Sequence, residues 1–256
     1  MRWMTSILHD MRNLFFCNWV EAKEHIQNSE GILITLGSVE EHGCHLPLGT
    51  DTILAEAIAK ELCQREDMYY YPCTTYGQVW SARDFESTIS ITPDCLGEYC
   101  IQAVRSVMRA HPRRIFLFSF HNGNHKVIEE VQRRLVDEGE RETVFHIKLA
   151  GMEKKAADIL TTPMWNGKVW HAGELETSLM LHVAGDLVHM ERATAEFPQV
   201  PDFYGQRPIP WRSFLKSGAF GDAAAATPEK GEKLFELVCS DLQEQIRQAK
   251  GEKAFE

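Results

Sequence analysis

Short, unbroken apolar runs alternate along this chain with longer stretches in which apolar positions recur every three or four residues. The short runs at 31–36 (GILITL), 114–120 (RIFLFSF) and 143–149 predict strands buried on both faces. The longer stretches at 20–29, 52–65, 94–110, 126–138, 173–184 and 228–249 predict helices. Strands that alternate with helices imply an α/β architecture, a mostly parallel sheet covered on both faces. Residues 197–221, rich in Pro, Gly and aromatics, interrupt the alternation and predict a long ordered loop of the kind that often covers a site. No repeat and no linker divides the chain, so a single domain over residues 1–256 is expected.

Composition narrows the classes. With 256 residues, 44% of them hydrophobic, the chain can bury a substantial core. A net charge of -10 without a Lys/Arg cluster excludes a nucleic-acid backbone as partner, because phosphate neutralisation needs concentrated positive charge. The N-terminus is locally apolar, but His9, Asp10, Arg12 and Asn13 interrupt it and no small-residue cleavage site follows, so neither a signal peptide nor a membrane span is expected. Seven cysteines, an odd number without a C-x-x-C pair, fit reduced thiols and a cytoplasmic location.

The chemistry gathers in three places. GSVEEHGCHLPLGTD, residues 37–51, follows the first strand and packs Glu40, Glu41, His42, His45 and Asp51 into a loop bounded by glycine and proline. A solvated charged loop is the plain alternative, but neutral imidazole and carboxylate together suit Zn²⁺, Mn²⁺ or Fe²⁺, and Glu40-x-His42 points both side chains to one side of extended backbone. Cys44 fits a small filler better than a ligand, since a soft thiolate is ill matched to hard carboxylates. The second loop, SFHNGNH, puts His121 directly after the second predicted strand. Ligands gather at the carboxyl ends of parallel strands, so His121 is expected beside Glu40, His42 and Asp51. The third place is HAGELETS, residues 171–178. Acids in a first helical turn are ordinarily explained by the macrodipole and capping. Glu174 and Glu176 diverge by about 200° on a helix, so only one of them can face a metal.

On these motifs, together with GAFGDAAAATPEKGEKLFE before the last helix, the chain resembles the creatininase (creatinine amidohydrolase) family from about Trp19 to Arg247. The resemblance implies a three-layer α/β/α fold, commonly hexameric, with two divalent metal ions per chain, Zn²⁺ before Mn²⁺ or Fe²⁺. It implies Glu40, Asp51 and His121 as ligands of one ion and His42 and Asp51 as ligands of the other, with Asp51 bridging. It also places His171 for proton transfer and matches Glu176 to the glutamate of the family's ETS motif. The family's further second-site glutamate falls at Gly123 here, which leaves that site one ligand short unless Glu174 fills it.

The implied chemistry is hydrolysis of a carbon–nitrogen bond other than a peptide bond in a small molecule such as a cyclic amide. A water shared by two ions attacks a polarised carbonyl, and His171 protonates the leaving nitrogen. Phe120 replaces the small residue before the ligand histidine, Phe85-Glu86-Ser87-Thr88 replaces F-P-G-T, and the family's substrate tryptophans are matched near Gly151 and at Gly167, with Trp165 and Trp170 out of register. These departures argue against creatinine itself. Two alternatives stay open: carbon–carbon hydrolysis of a cyclic ketone, and metal binding without turnover.

Overall fold

A computed structural model describes residues 10–140, 144–162 and 171–251. Its centre is a sheet of four parallel strands, β1 (Ile32–Leu36), β2 (Tyr69–Thr74), β3 (Ile115–Ser119) and β4 (Val144–Ile147), in the order β2-β1-β3-β4. β1 and β3 are buried along their whole length. Alternate residues enter different cores: Leu33, Phe116 and Phe118 join one apolar cluster, and Ile32, Ile34, Ile115 and Leu117 join the other. That two-sided burial is why these runs read as continuous apolar segments rather than as alternating ones.

Helices α1 (Trp19–Asn28), α3 (Pro93–Met108) and α4 (His125–Asp137) cover one face, through residues such as Ile26, Leu96, Ile101, Ile128 and Leu135. Helix α2 (Thr50–Arg65) lies on the other face, with α5 (Met152–Lys155), α6 (Glu174–Ala184) and α7 (Pro228–Gly251). The result is a parallel sheet with helices on both sides. The helix expected from residue 94 begins one residue earlier because the Thr92 side chain caps it and Pro93 suits a first helical position.

Helix α5 and three strands escape the sequence pattern. β2 is an edge strand of alternating partial burial, and it tolerates Pro72 because an edge need not donate on its outer side. β5 (Ala195–Glu196) and β6 (Gly221–Asp222) pair antiparallel and anchor the two ends of the long loop expected at 197–221. The strand expected over 143–149 is ordered over Val144–Ile147, and Thr143 lies outside the described residues. So do Trp165, Gly167 and Trp170, and most of the N-terminal apolar run. Among the described residues no helix is long and apolar enough to cross a membrane, and the seven cysteines are free thiols.

The strand order sets the site. The chain leaves β1 for β2 on one side and returns across the sheet to β3 on the other, so the carboxyl ends of β1 and β3 flank a switch point where a crevice opens. Helix α6 reaches the crevice from the other core, and its position depends on contact with α7. Gly231 of α7 lies under α6, where an added Cβ would overlap the Ser178 carbonyl oxygen. Gly231→Ala is therefore expected to cost about 1–3 kcal/mol through forced separation of two packed helices. Urea denaturation checks this; an unchanged midpoint would show that the helices part freely.

Candidate metal centre

The loop after β1 returns its carboxylates to the sheet. Glu40 and His42 stand on the loop, Asp51 sits in the first turn of α2, and His121 follows β3 after Phe120; all four are buried. His121 Nδ1 lies 2.9 Å from Glu40 Oε2 and 3.1 Å from Asp51 Oδ2. His42 Nε2 lies 3.4 Å from Asp51 Oδ1 and 3.8 Å from Glu176 Oε2. Asp51 thus directs one oxygen at each imidazole. The donors form two overlapping groups, Glu40–Asp51–His121 and His42–Asp51–Glu176, with a third, Glu40–His42–His171, beside them.

Main-chain carbonyls orient the rings. His42 Nδ1 donates to the Glu40 carbonyl at 3.1 Å, which leaves Nε2 as the bare nitrogen facing the carboxylates. His121 Nε2 donates to the Gln78 carbonyl at 2.9 Å, which leaves Nδ1 facing Glu40 and Asp51. Fixing the tautomer through the distal N–H is how metal-binding histidines are prepared. Asn124 holds the supporting loops together: its amide donates to the Gly37 carbonyl and to Ser119 Oγ, and its oxygen accepts from Gln78 N. Ser38 Oγ donates to Asp51 Oδ2 at 2.6 Å.

The residues fit divalent cations. His42 Nε2 is fully buried without a hydrogen-bond partner, an arrangement that is costly unless something accepts its lone pair. Three buried carboxylates, Glu40, Asp51 and Glu176, converge on it, and such charges need a cation. The closest donor separations are the size of a coordination polyhedron's edges, roughly 3.0–3.4 Å for bonds of about 2.0–2.1 Å. The titration behaviour agrees. Burial opposes charging of His42, yet Asp51, Glu176 and Glu40 overcome it and raise its pKa to about 10. Burial likewise opposes ionisation of Asp51, but His42 and His121 hold its pKa well below the usual carboxylate range. Glu176 goes the other way, raised by its burial.

Glu174 does not join this cluster, and the expectation that it fills the second metal site is corrected. Its carboxylate faces away and is held by Lys230 Nζ at 2.5 Å and by the backbone and hydroxyl groups of Thr161 and Thr162. Although burial opposes it, these partners pull its pKa down to about 2. Glu176 takes the position facing His42, and its Oε2 accepts from Ala172 N at 2.5 Å. The divergence of the pair on the helix is what separates their surroundings.

Gly123 also acquires a physical reason. An added Cβ there would overlap both the Gln78 carbonyl oxygen and His121 Nε2, so no side chain fits while that hydrogen bond holds His121. His171 is buried beside Glu40 and His42. Its Nε2 donates to the Glu41 carbonyl at 2.8 Å and lies 3.2 Å from Glu41 Oε1, and its ring packs against Trp211, centroids 4.9 Å apart. Burial disfavours its charged form, but Glu40 and Glu41 outweigh this and raise its pKa. His45 is buried away from the donors and binds Thr177 Oγ1 at 2.8 Å, which ties the motif to α6; Cys44 is exposed.

A cavity of about 260 Å³ opens over the cluster, with Trp80, Phe120 and Trp211 among its walls. Trp211 belongs to the long loop, and Phe85 packs with Phe214, Leu215 and Phe220 beneath it. Ser87 adopts φ +72, the left-handed region where the family pattern has glycine, and Thr88 Oγ1 accepts from Glu41 N. Sequence reasoning missed Gln78, Asn124 and Trp211, and gave Glu41 no role of its own. Glu41 was visible in the motif and Trp211 in an aromatic-rich loop, but Gln78 acts through its main chain, which any residue possesses.

Comparison with known proteins follows the same lines. The creatininase family profile, described as creatinine amidohydrolase, matches residues 16–246. A mycofactocin precursor peptide peptidase of Mycobacterium tuberculosis is 30% identical over 225 residues, covering 83% of each chain. A creatinine amidohydrolase of Pseudomonas putida is 24% identical over 254 residues, covering 90% of this chain and 94% of the relative. Among solved structures, a creatininase described as its Mn form superposes with a TM-score of 0.80 at 23% identity, covering 94% of this chain and 99% of the other. A mutant creatininase of Zn–Zn type gives 0.79 at 23% identity, covering 94% and 98%.

Two outcomes are expected. Gly123→Ala should lower metal affinity about 10–100-fold, the usual effect of disturbing a ligand's supporting hydrogen bond, as read by competition with a chromogenic chelator. The protein stripped of metal should carry a proton on His42, whose pKa is raised to about 10. That stabilisation is complete below the unfolded value near 6.5 and is lost as pH rises through about 10. Metal binding should displace the proton and tighten as pH rises across the neutral range, which calorimetry in buffers of differing ionisation enthalpy would register.

Proposed function

The chain belongs to the creatininase family, and from that premise we propose that it is a metal-dependent hydrolase cleaving an amide-type carbon–nitrogen bond. The observation that carries the reading is Asp51, whose two oxygens face two differently held imidazoles, His121 and His42. Glu40, Asp51 and His121 would hold one cation and His42, Asp51 and Glu176 the other, with Zn²⁺ first and Mn²⁺ or Fe²⁺ next in suitability for this donor set. Bound cations would supply a water of lowered pKa and polarise the substrate carbonyl.

The remaining work falls to the chain's own groups. Trp80, Phe120 and Trp211 wall the cavity and reduce the water that can compete there. The carbonyl carbon gains the water's oxygen, the carbon–nitrogen bond breaks, and the leaving nitrogen takes up a proton. We assign that transfer to His171. Its Nε2 is committed to the Glu41 carbonyl, so Nδ1 is the atom that can give the proton up. Glu176 is accordingly assigned to metal binding rather than to proton transfer, because it faces His42 from within the buried cluster.

Relatives named for a peptide substrate and for creatinine share one bond-breaking step, hydrolysis of a carbon–nitrogen bond. A compact cyclic amide or a peptide-like amide would serve this centre equally. The motive for a metal protein without turnover is the carboxylate lacking at Gly123, and the Glu176 carboxylate beside His42 supports the hydrolase reading over it.

Metal analysis should find two equivalents per chain. Asp51→Ala should lose metal from both positions together with turnover, and retention of metal and activity would sink the assignment. His171→Ala should keep its metal while kcat falls by about 10²–10⁴, the usual span for a general acid. Loss of metal instead would make His171 a ligand.

A further inference from the structure

The cavity over the metal cluster has a neighbour. A groove of about 210 Å³ lies between α3 and α4, and Gln78 and Gly123 line both spaces. The partition between them is therefore thin: one glycine that admits no side chain, and one half-buried glutamine. The main chain of Gln78 is used by His121 and Asn124. Its side-chain amide is left at the crossing with one donor group and one acceptor.

The groove floor is apolar, formed by Gly97, Val127 and Val131. Gly97 is notable because it sits inside α3, where glycine costs about 1 kcal/mol relative to alanine. Neither backbone conformation nor crowding requires it. Its φ is not in the left-handed region, and an added Cβ would stand 3.7 Å from Val127 Cγ1 and 4.0 Å from Val131 Cγ2, ordinary contact distances. Without a side chain, its backbone forms part of the groove wall beside Val127 and Val131. At the rim, Arg134 pairs with Glu98 and Glu130 with Arg133, whereas Lys126 makes no ion pair among the described residues.

We propose that this groove is a substrate subsite and that the substrate is an extended peptide segment rather than a compact ring. One residue of it seats an aliphatic side chain on Gly97, Val127 and Val131. Its main-chain amide crosses the partition against the Gln78 side chain, which can donate to a peptide carbonyl and accept from a peptide N–H. Lys126 faces an acceptor or carboxylate beyond the seated residue. The scissile amide then lies over the Glu40, His42, Asp51, His121 and Glu176 cluster. The inference rests on the hydrolase reading for the cleavage step, but not for the binding step.

The test uses the metal-loaded protein with capped tetrapeptides carrying a central leucine, capped dipeptides, and small lactams. The ratio of kcat/KM for tetrapeptide to dipeptide should exceed unity and fall roughly tenfold or more in Gly97→Met, which fills the floor, because one lost apolar contact is worth about 10–200-fold in discrimination. Gly97→Ala, which fits without displacement, should fold at least as well as the parent and move the ratio much less. Binding is read separately, by hydrogen exchange with the tetrapeptide present. Protection across residues 93–97 and 123–131 that disappears in Gly97→Met supports the subsite even if nothing is cleaved, in which case the hydrolase reading alone fails. Lactams and dipeptides turned over as well as tetrapeptides, with no effect at residue 97, would overturn the subsite and leave the hydrolase reading standing. Absence of protection at millimolar peptide would also overturn it.

Discussion

Three carboxylates, Glu40, Asp51 and Glu176, are buried around the imidazoles of His42 and His121, and the site depends on answering that electrostatic demand. Removing several like charges from water costs several kcal/mol for each ion unless a cation compensates. Without metal, a proton on His42, whose pKa is raised, would meet part of that need, and divalent cations would meet it more completely. The cluster is thus affordable only where the fold holds its members rigidly, and β1, β3, α2 and α6 each bring one side of it to the switch point of the sheet.

Rigidity comes from main-chain carbonyls as much as from side chains. His42, His121 and His171 are each turned by a carbonyl oxygen, those of Glu40, Gln78 and Glu41. Carbonyls do not titrate and do not change rotamer, so they fix which nitrogen faces the cluster without adding charge to it. Asn124 extends the same logic, because it binds the loops that follow β1 and β3 to the segment that carries Gln78. Gly123 then follows as a geometric consequence: the tighter His121 is held, the less room remains beside it.

The two sides of α6 show how one short segment separates structure from chemistry. Glu174 is spent on Lys230 and the Thr161–Thr162 turn, which docks α6 to α7 and the preceding loop. Glu176, two residues on, reaches the buried cluster. Both are buried acids in a first helical turn, and their environments push their pKa values in opposite directions, Glu174 downward by its partners and Glu176 upward by its isolation from water.

The order of strands and helices was legible in the sequence because β1 and β3 are buried on both faces and α3 and α4 on one, and each condition imposes its own period on apolar residues. Edge strand β2 was not, since its partial burial and Pro72 blur the period. Glu40, His42, Asp51 and His121 stood out by chemical type and by position at strand ends. The choice between Glu174 and Glu176 did not, because helical geometry says that two such residues diverge and not which of them faces inward. Nor could the sequence show that Gln78 serves through its carbonyl, or that Gly97 lines a groove beside the cavity. Residue type and period are local properties and are written in the chain; which side of a helix meets which loop is decided only when distant segments pack, and that packing separated Glu174 from Glu176.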